Sequence, residues 1–214
     1  MDVTRLLLIR HGETDWNVQR RVQGHTDIPL NAYGEQQARW LSEALADEGI
    51  DCVYSSDLQR AAHTARTVAE PHQAPVILTP GLRERCFGNL EGHTFSDLQA
   101  KDPELARLWS KRDPVWQPPG GGESLTMVRE RVVSAVLHLA AQHPGQHIAV
   151  VAHGGVLDML YRAATGLDLL AARTWELPNC AINRVLYTDS GLSLVGWGDT
   201  SHLEGRALGD GGIA

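Results

Sequence analysis

The chain has 214 residues, 43% of them apolar and 21% charged, with 26 acidic residues against 19 Lys and Arg for a formal charge of −7. That length fits one large domain or two small ones, and the composition is ordinary globular usage, which excludes wholesale disorder. The acidic balance argues against a nucleic-acid or membrane-surface binder, because those partners need a basic field.

Taken in chain order, Val3 to Ile9 reads as a buried strand that ends at Arg10-His11-Gly12. The four strongly apolar residues that follow Arg5 are too few for a signal segment or a membrane span. Asn31 caps a helix bearing Ala38, Leu41, Ala44 and Leu45 on one face, closing near Gly49. A short strand, Asp51 to Tyr54, precedes Ser56-Asp57-Leu58-Gln59, which has the form of a capping box opening a helix that runs to Pro71. Val76 to Leu78 reads as another strand. The segment around 87–123 holds Trp109, Trp116 and Gly120-Gly121-Gly122 and reads as an excursion or lid.

A longer helix covers Leu125 to Gln142, with Val128, Val132, Val136 and Leu139 on one side. Ile148 to Ala152 repeats the buried-strand design, ending in His153-Gly154-Gly155 before another helix. Ala181 to Thr188 and Leu192 to Trp197 form a hairpin around Asp189-Ser190-Gly191. The alternation predicts one α/β domain over 1–200, without a second core, followed by a flexible tail over 201–214.

Two predicted strands end in histidine, at the place where open α/β sheets bind ligands. A histidine with one ring nitrogen held by a hydrogen bond can attack with the other. Arg10 beside His11 offers a fork for phosphate or carboxylate oxygens. Arg60, in the first turn of a helix where the dipole disfavours a cation, is explained by an anionic partner. Gly154 and Gly155 open a helix whose free N–H groups face an anion, and Glu84 is a carboxylic acid able to protonate a leaving alkoxide. Singly, each residue has an ordinary structural reading. Together, Arg10, His11, Arg60, Glu84 and His153 supply what phosphomonoester cleavage through an enzyme-bound phosphate requires.

Other chemistries find less support. Six residues after the three cysteines stand Leu58, Gly92 and Leu186, so no C-x5-R phosphatase signature exists. Gly120-Gly121-Gly122-Glu123-Ser124 lacks the lysine of a P-loop. Cys52, Cys86 and Cys180 lie far apart, which excludes a disulfide framework and points to a reducing, cytoplasmic setting. His138, His143 and His147 lack joining ligands and read as solvated surface residues.

Leu7 to Asn17, Gln23-Gly24, Leu30 to Gly34, Ser55 to Ala61, Leu82-Arg83-Glu84, Phe87 to Gly92, Gly122-Glu123-Ser124 and Val151 to Gly155 together resemble the histidine phosphatase superfamily, in its branch similar to cofactor-dependent phosphoglycerate mutase. The resemblance covers most of the chain. It implies a three-layer α/β/α sandwich around a mostly parallel sheet. It further implies that His11 is the phosphorylated nucleophile, that Arg10, Arg60 and His153 bind the phosphoryl group, and that Glu84 is the acid and base. Asn17, Gln23, Gly24, Arg85 and Gly154 would complete the substrate pocket. No metal or organic cofactor is implied, and the partner is a small phosphorylated substrate, with a homodimer possible.

The glycolytic mutases follow the glutamate with Arg-His-Tyr-Gly, whereas this chain has Arg85-Cys86-Phe87-Gly88. Between Gly92 and Gly121 the four cations, Lys101, Arg107, Lys111 and Arg112, are balanced by Asp97, Asp102, Glu104 and Asp113. That balance predicts no deep cage for a doubly charged ligand, and therefore hydrolysis rather than mutase action; the alternatives are mutase-type transfer and a non-catalytic phospho-ligand module. If Glu84 must be protonated while His11 is neutral, the activity peaks on the acidic side of neutral.

Overall fold

The computed structural model describes residues 3–206. Its sheet comprises β1 (Thr4–Arg10), β2 (Cys52–Ser55), β3 (Val76–Leu78), β4 (His147–Ala152), β5 (Ile182–Thr188) and β6 (Gly191–Asp199), in the order β3-β2-β4-β1-β5-β6. The first four strands run parallel, and the β5–β6 hairpin joins antiparallel at β1. The helices are α1 (Asp15–Val18), α2 (Ala32–Leu45), α3 (Gln59–Ala69), α4 (Phe95–Lys101), α5 (Pro103–Ser110), α6 (Leu125–Ala141) and α7 (Gly154–Thr165).

Strand periodicity builds the layers. Leu6 and Leu8 of β1, with Ile148 and Val150 of β4, face α6 and α7; Leu7 and Ile9, with Ala149 and Val151, face α2 and α3. Each such buried Leu, Ile or Val side chain contributes roughly 1.5–3 kcal/mol. Both faces of β1 and β4 are covered, so these strands read as continuous apolar runs. The three-layer α/β fold is the one expected.

Three local expectations, on Ser56, on residues 201–206 and on two histidines, are corrected. Ser56 does not form a capping box: α3 starts at Gln59, Leu58 is the N-cap residue without a side-chain bond, and the Gln59 N–H donates instead to Asp27 Oδ1 at 2.8 Å. The cap comes from a distant loop because that loop must also reach Arg60. The 87–123 excursion has a small core of its own, Leu90, Leu98 and Ala106 with Trp109 and Trp116 against it, because α4 and α5 bury one face each upon the other. Residues 201–206 belong to the fold, since Leu203 packs on the α2–α3 side and Arg206 pairs with Glu43 at 2.9 Å; the rest of the expected tail lies outside the described residues. His147 is buried at the start of β4 with Nδ1 3.0 Å from the Glu48 carbonyl, and His143 meets the Tyr54 hydroxyl at 2.8 Å, so neither is a solvated surface residue. Among the described residues no cluster of His, Cys, Asp or Glu is arranged to hold a metal, and no helix is long and apolar enough to cross a membrane.

Candidate active site

Strands β1 and β4 are neighbours whose register pairs Arg10 with Ala152. The residues that follow, His11 and His153, therefore leave the sheet side by side. The His11 N–H donates to the Ala152 carbonyl at 3.0 Å, and the two imidazole centroids are 5.1 Å apart. Two motifs separated by 142 positions in the chain become one site through a single hydrogen-bonded register.

His11 is 3% exposed. Its Nδ1 lies 2.7 Å from the Gly12 carbonyl oxygen, which only accepts, so Nδ1 carries the proton and Nε2 the lone pair. Burial, then the charges of Arg60 and Arg10, hold its pKa well below the usual histidine value, with the Gly12 bond opposing. The imidazole is neutral at pH 7. His153, wholly buried at the N-cap of α7, is also held well below the usual value, by burial first and then by Arg60, His11 and Arg10.

Arg60 sits in the first turn of α3 with no exposed surface. It donates through Nη1 to the Thr26 carbonyl at 3.0 Å and through Nη2 to the Gly24 carbonyl at 2.8 Å. Those bonds leave Nε free. Arg10 at the end of β1 donates to the Leu177 carbonyl through Nη1, and its Nε is likewise buried without a partner, as are both ring nitrogens of His153. Buried unpartnered donors are costly, and a phosphoryl group supplies acceptors for Nε of Arg10 and of Arg60 and for the one N–H that a neutral His153 ring carries.

Glu84 enters from the loop after β3. Its Oε1 accepts the Arg85 N–H at 2.7 Å and its Oε2 accepts the Gly155 N–H at 3.0 Å, which fixes the carboxyl at the N-terminus of α7. Glycine is needed there: a Cβ on residue 155 would lie 2.3 Å from Glu84 Oε1. Gly154 lies beside it, with the Arg10 guanidinium carbon 3.7 Å from where its own Cβ would be. Asn17, a residue of the pocket lining, closes a capping box with Thr14, its Oδ1 accepting the Thr14 N–H at 3.1 Å.

Gln23 is buried with Oε1 unpartnered, whereas Gly24 serves through its carbonyl on Arg60. Gly24 adopts φ +54°, and a Cβ there would meet Glu91 Oε1 at 2.0 Å. Arg85 donates from Nε to the Glu123 carbonyl at 2.7 Å and lies over the Phe87 ring; burial lowers its pKa to about 10.

Several contributors carry no signal in the sequence. Asn179 donates to the His11 carbonyl at 2.7 Å, and Thr64 Oγ1 accepts the Gly12 N–H at 3.1 Å. His25 Nε2 contacts the Glu84 carbonyl at 2.8 Å, and Arg131 binds Glu123 through two bonds while donating to the Gly81, Arg83 and Glu84 carbonyls. None stands in a recognisable motif, because each acts across the fold on a backbone atom.

A cavity of about 580 Å³ shares Arg10, Asn17, Gly154 and Gly155 with this cluster and extends outward between Trp16, Phe87, Trp109 and Trp116. Six arginines line it, Arg10, Arg20, Arg21, Arg85, Arg112 and Arg173, against Asp113 and Asp158. The neutral balance of the excursion is therefore a poor guide to the pocket: most of the lining arginines come from other parts of the chain. The inference from that balance to an absent anion cage does not stand.

A family model, histidine phosphatase superfamily (branch 1), matches residues 6–200. Phosphoglycerate mutase-like protein 4 of Arabidopsis thaliana is 37% identical over 207 residues, 95% of this chain and 89% of the relative. The metal-independent phosphoserine phosphatase of the same plant is 37% identical over 204 residues, 94% and 84% of the two chains. Among solved structures, phosphoserine phosphatase from Entamoeba histolytica in complex with 3-phosphoglyceric acid superposes with a TM-score of 0.82 at 31% identity, covering 94% of this chain and 99% of that one.

Proposed function

Because the chain belongs to the histidine phosphatase superfamily, branch 1, we propose that it is a phosphatase of small phosphorylated metabolites, as its phosphoserine phosphatase relatives support, and that it works through His11. The Nε2 lone pair attacks phosphorus, the bond from phosphorus to the ester oxygen breaks, and the Glu84 carboxyl gives its proton to the departing oxygen. Water then attacks phospho-His11, the Glu84 carboxylate takes a proton from it, the P–N bond breaks, and inorganic phosphate leaves with the imidazole neutral again. Arg10, Arg60, His153 and the Gly154 amide stabilise the charge on the transferring group, where one well-aimed donor is worth roughly 3 kcal/mol.

The observation carrying this reading is the tautomer of His11: Nδ1 is committed to the Gly12 carbonyl, Nε2 keeps the lone pair, and the His153 ring lies 5.1 Å away by centroid, while Nε of Arg10 and of Arg60 are buried without partners. Rapid quench with a radiolabelled phosphomonoester tests it. The label should appear on His11, and His11→Ala should lose both adduct and turnover, by about 10³-fold or more. An adduct on another side chain would overturn the assignment, and loss of turnover on chelation would favour a metal route. Hydrolysis should exceed isomerisation of phosphoglycerate, as measured by phosphate release against product exchange; a dominant isomerase rate would make the enzyme a mutase. The three cysteines are unpaired, which supports a reducing compartment.

A further inference from the structure

Asp158 lies one turn into α7, four residues past Gly154, and is 4% exposed, yet it is one of the residues that line the cavity. A turn of helix rises about 5–6 Å, so the Asp158 backbone stands one such step along the axis from the start of α7. It pairs with Arg162 one turn further on, Nε to Oδ2 at 3.2 Å, and with half-exposed Arg112 of the excursion at 3.5 Å on the same oxygen. Its Oδ1 is buried and accepts nothing.

Neutralising Arg162 does not account for this arrangement. A fork would place both carboxylate oxygens on Arg162 Nε and Nη2 and satisfy all four atoms. Instead Arg162 uses Nη1 on the Asp168 and Ala171 carbonyls, its Nη2 is unpartnered, and Oδ1 of Asp158 is unpartnered too. The carboxylate gives up the fork and stays beside a cavity otherwise dominated by arginines. A buried acceptor in a wall of donors discriminates strongly, because a ligand without a matching donor leaves it desolvated and unpaired.

We propose that Asp158 is a specificity-determining residue that accepts a hydrogen bond from a hydroxyl or ammonium on the organic half of the substrate, a few bonds from the phosphoester. Arg112, half-exposed and at the limit of hydrogen-bond distance on Oδ2, reaches over the same carboxylate from the excursion and swings aside to admit such a donor to Oδ1. This inference rests on the phosphatase reading of the same cavity and adds the substrate class: phosphomonoesters bearing a donor as well as negative charge.

Three esters of one carbon skeleton test it: O-phosphoserine, 3-phosphoglycerate and 3-phosphooxypropanoate, which carry at the same carbon an ammonium, a hydroxyl and hydrogen. The wild-type enzyme should favour at least one of the donor-bearing esters over the third by about tenfold in kcat/KM, and which one identifies the donor. Asp158→Asn keeps the size of the side chain but can turn an N–H towards the pocket, so that preference should collapse while the ester lacking a donor changes less than about threefold. The loss should fall mainly on KM. Equal turnover of all three by the wild-type enzyme would overturn the proposal without any variant having to fold, and so would a proportional loss on all three in Asp158→Asn. If phospho-His11 forms but no preference exists, the phosphatase reading stands and this inference fails; if no adduct forms with any ester, both fail.

Discussion

At the residue scale, the site depends on single atoms held by backbone partners. Glu84 is fixed by two amides, and its proposed task is to protonate the leaving oxygen, so Glu84→Gln should depend on that oxygen. Turnover of an alkyl phosphate should fall by about 10²–10⁴-fold, and that of p-nitrophenyl phosphate, whose leaving group departs without a proton, by much less. An equal loss on both esters would remove Glu84 from the acid role. Gly155→Ala places a Cβ within 2.3 Å of the same carboxyl. It should lower kcat on alkyl esters by about tenfold or more at an almost unchanged melting temperature, since misplacing a reacting group by an ångström is enough. Activity at the wild-type level would mean that the carboxyl has room to shift.

At the element scale, α3 shows how a functional side chain and a helix start are secured together. The loop at 24–27 supplies the Gly24 and Thr26 carbonyls to Arg60 and the Asp27 carboxylate to the Gln59 N–H. Glu91 then holds the loop, accepting from the His25 and Thr26 amides, the Thr26 hydroxyl and the Phe87 amide. Asp27→Ala should therefore cost about 1 kcal/mol of stability by chemical denaturation, the usual worth of an N-cap. It should also weaken phosphate affinity, because Arg60 loses its frame. An unchanged midpoint would show that α3 does not rely on this distant cap. The helix itself was visible from its apolar spacing, but its cap was not: Ser56-Asp57-Leu58-Gln59 has the right residue types, and only the approach of the 24–27 loop decides which carboxylate reaches the free amide.

At the scale of the whole molecule, burying neutral histidines links stability to pH. An unfolded histidine gains its proton near pH 6.5, whereas His11 and His153 stay neutral well below that, each chiefly because burial penalises the charged ring. Below pH 6.5 the unfolded chain binds more protons than the folded one, so stability falls as the pH drops, by up to about 1.4 kcal/mol per pH unit for each of the two. His147 and His202, also lowered mainly by burial, act in the same direction. Urea midpoints at pH 7.5 and 5.5 should differ accordingly, the lower value at pH 5.5. A flat profile would mean that these rings are charged in the folded protein.

Much of this was written in the chain. Apolar runs ending in Arg10-His11-Gly12 and His153-Gly154-Gly155 specify two buried strands and the turns after them, because a strand with both faces covered must be apolar throughout and a ligand approaching backbone needs glycine. Those signals are local, and so are Arg60 at a helix start and Glu84 in its loop. The β1–β4 register that sets the two imidazoles side by side, Asn179 reaching the His11 carbonyl across 168 positions, and the ring of arginines around the outer cavity arose only on folding. Their physical cause is that hydrogen bonds to backbone atoms and the charge of a pocket depend on which surfaces meet, and neighbouring residues in sequence carry no record of that.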